Sequence, residues 1–314
     1  MKMKISRKLN IVNKIIKTEL LLTIMVAISI GCSDKNKPER SDDLNNYIKV
    51  SDITKPPKIT APNGIEFDTN IIEIPVGLYF YDNRNNSYAR GNVTGVIGKN
   101  ITTIGNGAFI YNQLIKLDLP NAISIGEGAF AYNKLDTLYL PEARTIEQAA
   151  FAINQLTVLD LPKADSIGEW AFSTNKLTKI ILPNATKICW GAFSGNQITE
   201  LDLPKADSIG EWAFQINKLT KIILPNVTII KYWAFAGNPD LTEVHIYTAP
   251  ALLKIGADIF GQNEVNKKQV EKPTEFFDYT VNKNTVTIFI KKAKWKSAME
   301  EKFKDYNVVV KVLE

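Results

Sequence analysis

The chain has 314 residues, 45% of them apolar and 23% charged, with 38 basic and 33 acidic side chains giving a formal net charge of +5. That composition excludes an intrinsically disordered chain and a membrane-embedded one, and the length allows one large domain or two ordinary ones. The positive excess sits at one end. Lys2, Lys4, Arg7, Lys8, Lys14 and Lys17 stand against Glu19 alone before Cys32, so the rest is neutral and gives no electrostatic case for nucleic acid.

Residues 1–31 read as a signal peptide. A basic n-region leads into Leu20–Ile30 ("LLLTIMVAISI"), the length of a signal h-region and too short to span a bilayer. It ends in "SIGC", which resembles the lipobox of bacterial lipoproteins, although Ser29 stands where Leu is usual. The resemblance implies cleavage before Cys32 and lipidation of that residue. The alternatives are an uncleaved N-terminal anchor and a plain secretory signal with a chance cysteine. Residues 32–60 begin "CSDKNKPERSDDLNN", with almost nothing to bury, and read as a polar tether holding a folded domain off a membrane. Cys32 and Cys189 are the only cysteines, so the mature monomer has no disulfide framework.

Residues 61–92 ("APNGIEFDTNIIEIPVGLYFYD…") hold strand-like runs and are expected to form an N-terminal cap. From 93 to 260 the chain repeats itself. Ala-Phe falls at 108–109, 129–130, 150–151, 171–172, 192–193, 213–214 and 234–235, a constant step, with Ile259-Phe260 following as an eighth turn. Asn recurs at 112, 133, 154, 175, 196, 217 and 238, and Pro at 120, 141, 162, 183, 204 and 225. The pattern L-x-x-L-x-L marches in step, as in Leu114/Leu117/Leu119 and Leu135/Leu138/Leu140. "LDLPKADSIGEWAF" occurs at Leu159–Phe172 and again at Leu201–Phe214, and "NKLTKIILPN" at Asn175–Asn184 and Asn217–Asn226. Both copies lie two steps on, which is a duplication of two adjacent units.

Each column has a physical role. Leu117 and Leu119 point inward by strand alternation while Lys116 and Asp118 point out. Pro closes the strand, lacking a ladder donor. Ile125 and its equivalents begin the return leg, Ala occupies a tight spot and Phe fills the far side of the core. Asn sits at a corner, where its amide can bond backbone of its own or the adjacent coil, or can tolerate a left-handed turn. A single unit is too short to bury such a core alone, so coils must stack.

These motifs, L-x-x-L-x-L with "SIGxxAF", resemble the BspA-like leucine-rich repeat family of bacterial surface proteins over roughly Val93–Phe260. The unit is slightly short for that family, and Asn replaces a frequent Cys. The resemblance implies a right-handed solenoid with a parallel β-sheet on one face, here about eight 21-residue coils between caps. Residues 261–314 are expected to form the C-terminal cap as strand, helix and strand. Thr285–Ile290 reads as the first strand, Trp295, Met299 and Phe303 fall at helical spacing, and Val308–Leu313 resumes strand character.

Little in the chain points to catalysis. One histidine, His245, and one cysteine of the repeats, Cys189, cannot supply a metal cluster or a nucleophile with its base. The glycines of "GNVTGVIG" belong to the first coil rather than to a phosphate loop. Asp118, Asp160 and Asp202 share one outward column, but in alternate coils on an open sheet they stand ~9–10 Å apart with no pocket. No enzymatic activity, cofactor or metal is expected.

Surface columns carry the functional expectations. The first, from Lys116 to Glu243, alternates charge after Lys179 and reads as cross-strand support. The second runs Asp118, Tyr139, Asp160, Ile181, Asp202, Ile223, His245. Tyr139, Ile181 and Ile223 would be apolar anchors separated by Asp160 and Asp202, a match for a basic, partly apolar protein partner. A third column places Trp170, Trp212 and Trp233 where other coils have Gly or Ala. They can stack on a glycan, anchor a partner, or lie flat over the next coil. Family members are implicated in adhesion, which implies an exported, membrane-anchored lipoprotein, at the outer membrane or cell surface, binding a protein. A carbohydrate-binding component of glycan capture and a purely structural envelope protein are the alternatives.

Overall fold

The computed structural model describes residues 94–261 and 284–313 in full, and gives five short strands between Lys58 and Tyr88 by backbone alone. All of these fall within one unit, Ile48–Glu264 with Tyr279–Glu314. The signal peptide, Cys32 and most of the tether lie outside the described residues.

Each repeat unit makes one turn of a solenoid because its apolar residues come in two short strand-like runs joined by corners. The first run is the L-x-L segment. Lys116–Asp118, Thr137–Tyr139, Val158–Asp160, Lys179–Ile181 and Glu200–Asp202 are three-residue strands, each with its outer residues exposed and the middle one turned to the core. The second run, such as Ser166–Ile167, is the return leg. These two-residue strands form their own parallel sheet of nine strands, from Glu73–Ile74 to Lys254–Ile255. The solenoid therefore carries two parallel ladders rather than the single sheet implied by the resemblance. The narrow one exists because Ile at each return leg fixes the backbone next to its neighbour in register, as Ile146 beside Ile167.

A further coil precedes those read from the Ala-Phe spacing. Gly64–Glu66 pairs in parallel with Gly95–Ile97, and Glu73–Ile74 with Thr103–Ile104. Among the described residues nine coils carry both strands, the first lying within the segment expected to be only a cap. It lacks the Ala-Phe marker that reveals the others.

Phe side chains fill the core opposite the wider sheet. Phe151 and Phe172 lie 5.2 Å apart with their planes 4° from parallel, and the stack runs from Phe109 to Phe260, all fully buried. The buried asparagines staple coil to coil. Asn175 Nδ2 donates to the carbonyl of Phe151 in the preceding coil (3.0 Å) and of Phe172 in its own (3.2 Å), and its Oδ1 accepts from the Leu156 N–H (3.1 Å). Asn133, Asn154, Asn217 and Asn238 repeat the pattern. Bonding, not left-handed backbone, is the role of this column.

The left-handed positions are elsewhere, two before and two after each Phe from Phe109 to Phe235. Gly107, Gly128 and Gly191 supply some of them, but Trp170, Trp212 and Trp233 take φ of 56°, 56° and 49° in the same column. A non-Gly residue held there costs about 1–2 kcal/mol, so each tryptophan is installed against backbone strain.

The duplicated pair of coils also coincides with a segment of the wider ladder, although the return-leg ladder runs unbroken past it. The wider sheet is interrupted between Thr137–Tyr139 and Val158–Asp160 and again between Lys179–Ile181 and Glu200–Asp202. Within a pair of coils, Lys176 bonds Gln155 and the Thr178 hydroxyl donates to the Thr157 carbonyl, repeated by Lys218 with Gln197 and Thr220 with Thr199. The interruptions are bridged at the proline corner, where Lys163 pairs with Glu142 and Lys205 donates to Asn184.

At the far end, Val286–Ile290 and Val308–Val312 continue the wider sheet in parallel after Glu243–Ile246. Between them Ala293–Trp295 forms a 3-10 turn and α1 spans Lys296–Lys302. Met299 and Phe303 are fully buried, and Phe303 stacks on Phe260 at 6.5 Å, closing the open end of the Phe column.

Candidate functional site

Because the middle residue of each three-residue strand is committed to the core, its two neighbours face outward, and parallel register sets them in columns. Ile97 stands beside Asp118, Asp118 beside Tyr139, Asp160 beside Ile181, Asp202 beside Ile223, Ile223 beside His245, and His245 beside Phe289. Tyr139, Ile181 and Ile223 each stand beside the Asp of the preceding coil, but no strand pairing sets Tyr139 against Asp160 or Ile181 against Asp202, where the wider ladder is interrupted. Tyr139 is 58% exposed and Ile181 36%, whereas Ile223 is half-buried. Ile97, at 38%, extends the line by one anchor. The regular marker columns begin at Lys116, so the pattern that reveals the other anchors does not reach Ile97.

The carboxylates of Asp118, Asp160 and Asp202 are exposed, and among the described residues none of them accepts a hydrogen bond or joins an ion pair. Three exposed carboxylates outside any ion pair thus share the column with apolar side chains, beside the outward Lys116, Lys179 and Lys221 of the neighbouring column.

The column beside it behaves differently from its sequence. Alternating charge predicts ion pairs from Lys179 to Glu243, yet among the described residues of this column only Lys221 and Glu243 pair, at 2.7 Å. The sheet is interrupted between Lys179 and Glu200, and Lys221 is committed to Glu243, so among the described residues Glu200 has no ion-pair partner on either side. Lys221, hydrogen-bonded to Glu243, holds that carboxyl below its ordinary value with His245 adding to the effect, while Glu243 holds the Lys221 ammonium above its own. His245 is not a solvent-facing residue. Its ring stacks on Phe289 at 4.7 Å, Nε2 meets Glu243 Oε1 and Nδ1 meets the Tyr247 hydroxyl at 3.1 Å. Phe289 covers it from a strand beyond the repeats.

The tryptophans occupy the left-handed turn. Trp170 is 5% exposed. Trp212 and Trp233 are half-buried, their rings 6.0 Å apart and 17° from parallel, so each turns toward its neighbour along the stack. Trp190 joins the row from one position earlier in its coil, with its ring 5.2 Å from Trp170 and 5.6 Å from Trp212. Its column holds Glu in the neighbouring coils, so the repeat pattern does not single it out. Gly191 is the signal. A side chain there would meet the Trp170 ring at 2.5 Å, so the coil places its aromatic one residue upstream. Trp190 and Tyr232, at 37% and 46%, are the exposed members of this row.

Cys189 is partly buried and its thiol is pushed up by that burial, which leaves a poor nucleophile. Among the described residues no group of three or more His, Cys, Asp or Glu is placed to hold a metal ion, and no helix is long and apolar enough to cross a membrane.

Residues 83–188 and 144–267 match the family model described as the BspA type leucine rich repeat region, in six copies. Among solved structures, the chain is similar to a leucine rich cell surface protein from Faecalibacterium prausnitzii A2-165, at 19% identity and a TM-score of 0.37, covering 65% of this chain and 71% of that one. No curated protein matches it.

Proposed function

The chain belongs to the BspA-type leucine-rich repeat family, and from that premise we propose that it is an exported cell-envelope protein, lipid-anchored through Cys32, that binds a protein partner on the outer face of its wider sheet and has no catalysis of its own. The basic n-region, the apolar run Leu20–Ile30 and the cysteine after Gly31 support export and anchoring. Adhesion follows from the combination of an anchor, a polar spacer and a rigid repeat surface. One observation carries the assignment of the face. Tyr139, Ile181 and the half-buried Ile223 each stand in register beside a carboxylate outside any ion pair, that of Asp118, Asp160 and Asp202 respectively. Core packing does not require apolar residues there, and exposed apolar rows on a rigid sheet mark interaction surfaces.

The aromatic row supports the second reading, a glycan held on the turn, because the half-buried Trp212 and Trp233 adjoin the exposed Trp190 and Tyr232, while Trp170 beneath them is buried. The two surfaces can be separated. In one full-length variant Tyr139, Ile181 and Ile223 are replaced by Ser, and in another Trp170, Trp212 and Trp233 by Ala, with melting to show that each remains folded. Loss of cell or matrix binding in the first alone is the expected result. Loss only in the second, with fold intact, moves the site to the turn and favours the glycan.

A further inference from the structure

One corner of the solenoid departs from the repeat. Ile222 stands beside Val244 on the wider ladder, an offset of 22 residues, while Ile230 stands beside Ile255 on the return ladder, an offset of 25. The corner between Ile246 and Lys254 is therefore three residues longer than the one before it. Ala251 and Leu252 on this corner are exposed, and Leu252, at 63%, is the most exposed large apolar side chain among the described residues. The core does not call for it there, because Leu253 beside it makes the buried contact.

The next corner, after Ile290, is basic. Lys291, Lys292, Lys294 and Lys296 fall within six residues and all are exposed. Tyr247 joins the two corners, since the Lys291 ammonium lies 4.4 Å from its ring centre, and Lys292 lies 4.8 Å from that of Trp295. Exposed Lys254 closes the lengthened corner, which holds no acid. The acids of the packed elements are occupied or lie apart. Glu243 is taken by Lys221 and His245, Asp258 accepts from the Trp233 indole at 3.2 Å, and Glu301 pairs with Lys304 at 2.8 Å. Glu300 reaches Lys296 at 3.9 Å, and Asp305 lies beyond the far end of α1. Among the described residues, Lys254, Lys291, Lys292 and Lys294 join no ion pair.

We infer that this end of the solenoid docks on an anionic lipid surface, with Leu252 entering the headgroup layer and the lysines meeting lipid phosphates. A soluble polyanion would engage the lysines but give an exposed leucine nothing to bury, so the apolar tip and the cations together select a lipid. The inference rests on the proposed membrane anchoring and adds how the anchored domain is held. Fully extended, the chain from Cys32 to Lys58 reaches up to roughly 90 Å. The eight ring-to-ring steps of the core from Phe109 to Phe303 are only 5.2–6.5 Å each, so that reach is long enough for this end to meet the surface that holds Cys32. Without an anchor the docking is weak and reverses on dilution and in salt.

The test incorporates the full chain into phosphatidylcholine vesicles, plain or mixed with anionic phosphatidylglycerol. An environment-sensitive fluorophore is attached at Leu252→Cys, or at Val158→Cys on the outer sheet face, in a Cys189→Ala background. The Cys189→Ala parent, labelled alike, gives the signal to subtract for Cys32. Emission from position 252 is expected to rise and shift to the blue on the anionic vesicles alone, and to return to its aqueous value as salt is raised, while position 158 stays in water. Each cation near an anionic surface multiplies affinity about fivefold, so replacing Lys291, Lys292 and Lys294 together by Gln should weaken the docking equilibrium by roughly a hundredfold. Equal emission on the two kinds of vesicle, indifference to the lysine changes, or the same response at 158 overturns the inference. So does an aqueous 252 label on anionic vesicles in a chain that binds soluble dextran sulfate, which makes the partner a polyanion. A chain that fails to incorporate counts against the anchor, and when added from outside to the same vesicles it must still show the anionic-lipid response at 252.

Discussion

Replacing one asparagine of the buried ladder tests how the coils are held together. Asn175 accepts from the Leu156 N–H of the preceding coil and donates to the carbonyls of Phe151 and Phe172. In Asn175→Ala the two carbonyls each keep a donor, from Asn154 and Asn196 respectively. The Leu156 amide, in a fully buried residue, loses the acceptor it has. An orphaned buried amide costs about 1–3 kcal/mol and each weakened carbonyl contact adds less, so the variant should lose roughly 2–4 kcal/mol. Asn175→Asp should not rescue it at neutral pH. One carboxylate oxygen can accept from Leu156, but the other faces two carbonyl oxygens. As pH falls the proton taken up supplies a donor, and this variant should recover ground on the parent. Denaturant unfolding followed by tryptophan fluorescence gives the magnitude, and hydrogen exchange at the Leu156 amide gives the place. Coils contact only their neighbours, so exchange should quicken locally before the whole solenoid melts. A loss under about 1 kcal/mol with unchanged Leu156 exchange would refute the stapling role.

Phe172→Ala, which removes a fully buried ring from the stack, should cost about 3–5 kcal/mol, whereas exposed Lys179→Ala should stay within about 0.5 kcal/mol of the parent; denaturant midpoints check both. The Glu243 carboxyl is depressed by Lys221 and then His245, so its contribution to stability is present above the unfolded value of about 4.3 and is lost as pH falls through the lower folded one. Glu243→Gln should therefore flatten the acid limb of a plot of Tm against pH, and an unchanged limb would mean the pair is idle in solution. Cys32→Ser should release the protein from membranes and abolish labelling by an alkyne fatty acid, since acyl chains contribute ~0.8 kcal/mol per buried methylene; unchanged retention would leave Leu20–Ile30 as the anchor.

Much of this fold is legible because core constraints repeat locally. Leu, Ala, Phe and Asn each answer to neighbours one coil away, so the same demand recurs once per coil and shows as a column. The coil at 64–74 escapes because its strands persist without the Ala-Phe marker. The left-handed turns escape because Trp, Tyr and Ile fill positions where Gly would have announced them. His245 reads as exposed from its column, but Phe289 arrives from outside the repeat, where no periodicity sets the register. Of the candidate face, the line of Tyr139, Ile181 and Ile223 is readable from strand alternation. The half-burial of Ile223 is not, since it depends on how neighbouring strands and side chains close around it.

Core and surface obey different periods in this chain, and that difference bears on function. Inward columns are the same in adjacent coils, since every coil must bury the same Leu and Phe. Outward columns change from "LDLP" to "IILP" and back, so the surface repeats only in every second coil. Duplication of a two-coil unit explains both, and the interruptions of the sheet fall between such units rather than within them. Each unit brings one carboxylate and one apolar anchor to the face in fixed order, as Asp160 with Ile181 and Asp202 with Ile223. A ligand with a matching repeat then meets several equivalent weak sites at once, and once the first is engaged the others bind at high effective concentration. Affinity for a periodic partner therefore comes from copying the unit, with no need to deepen any single site.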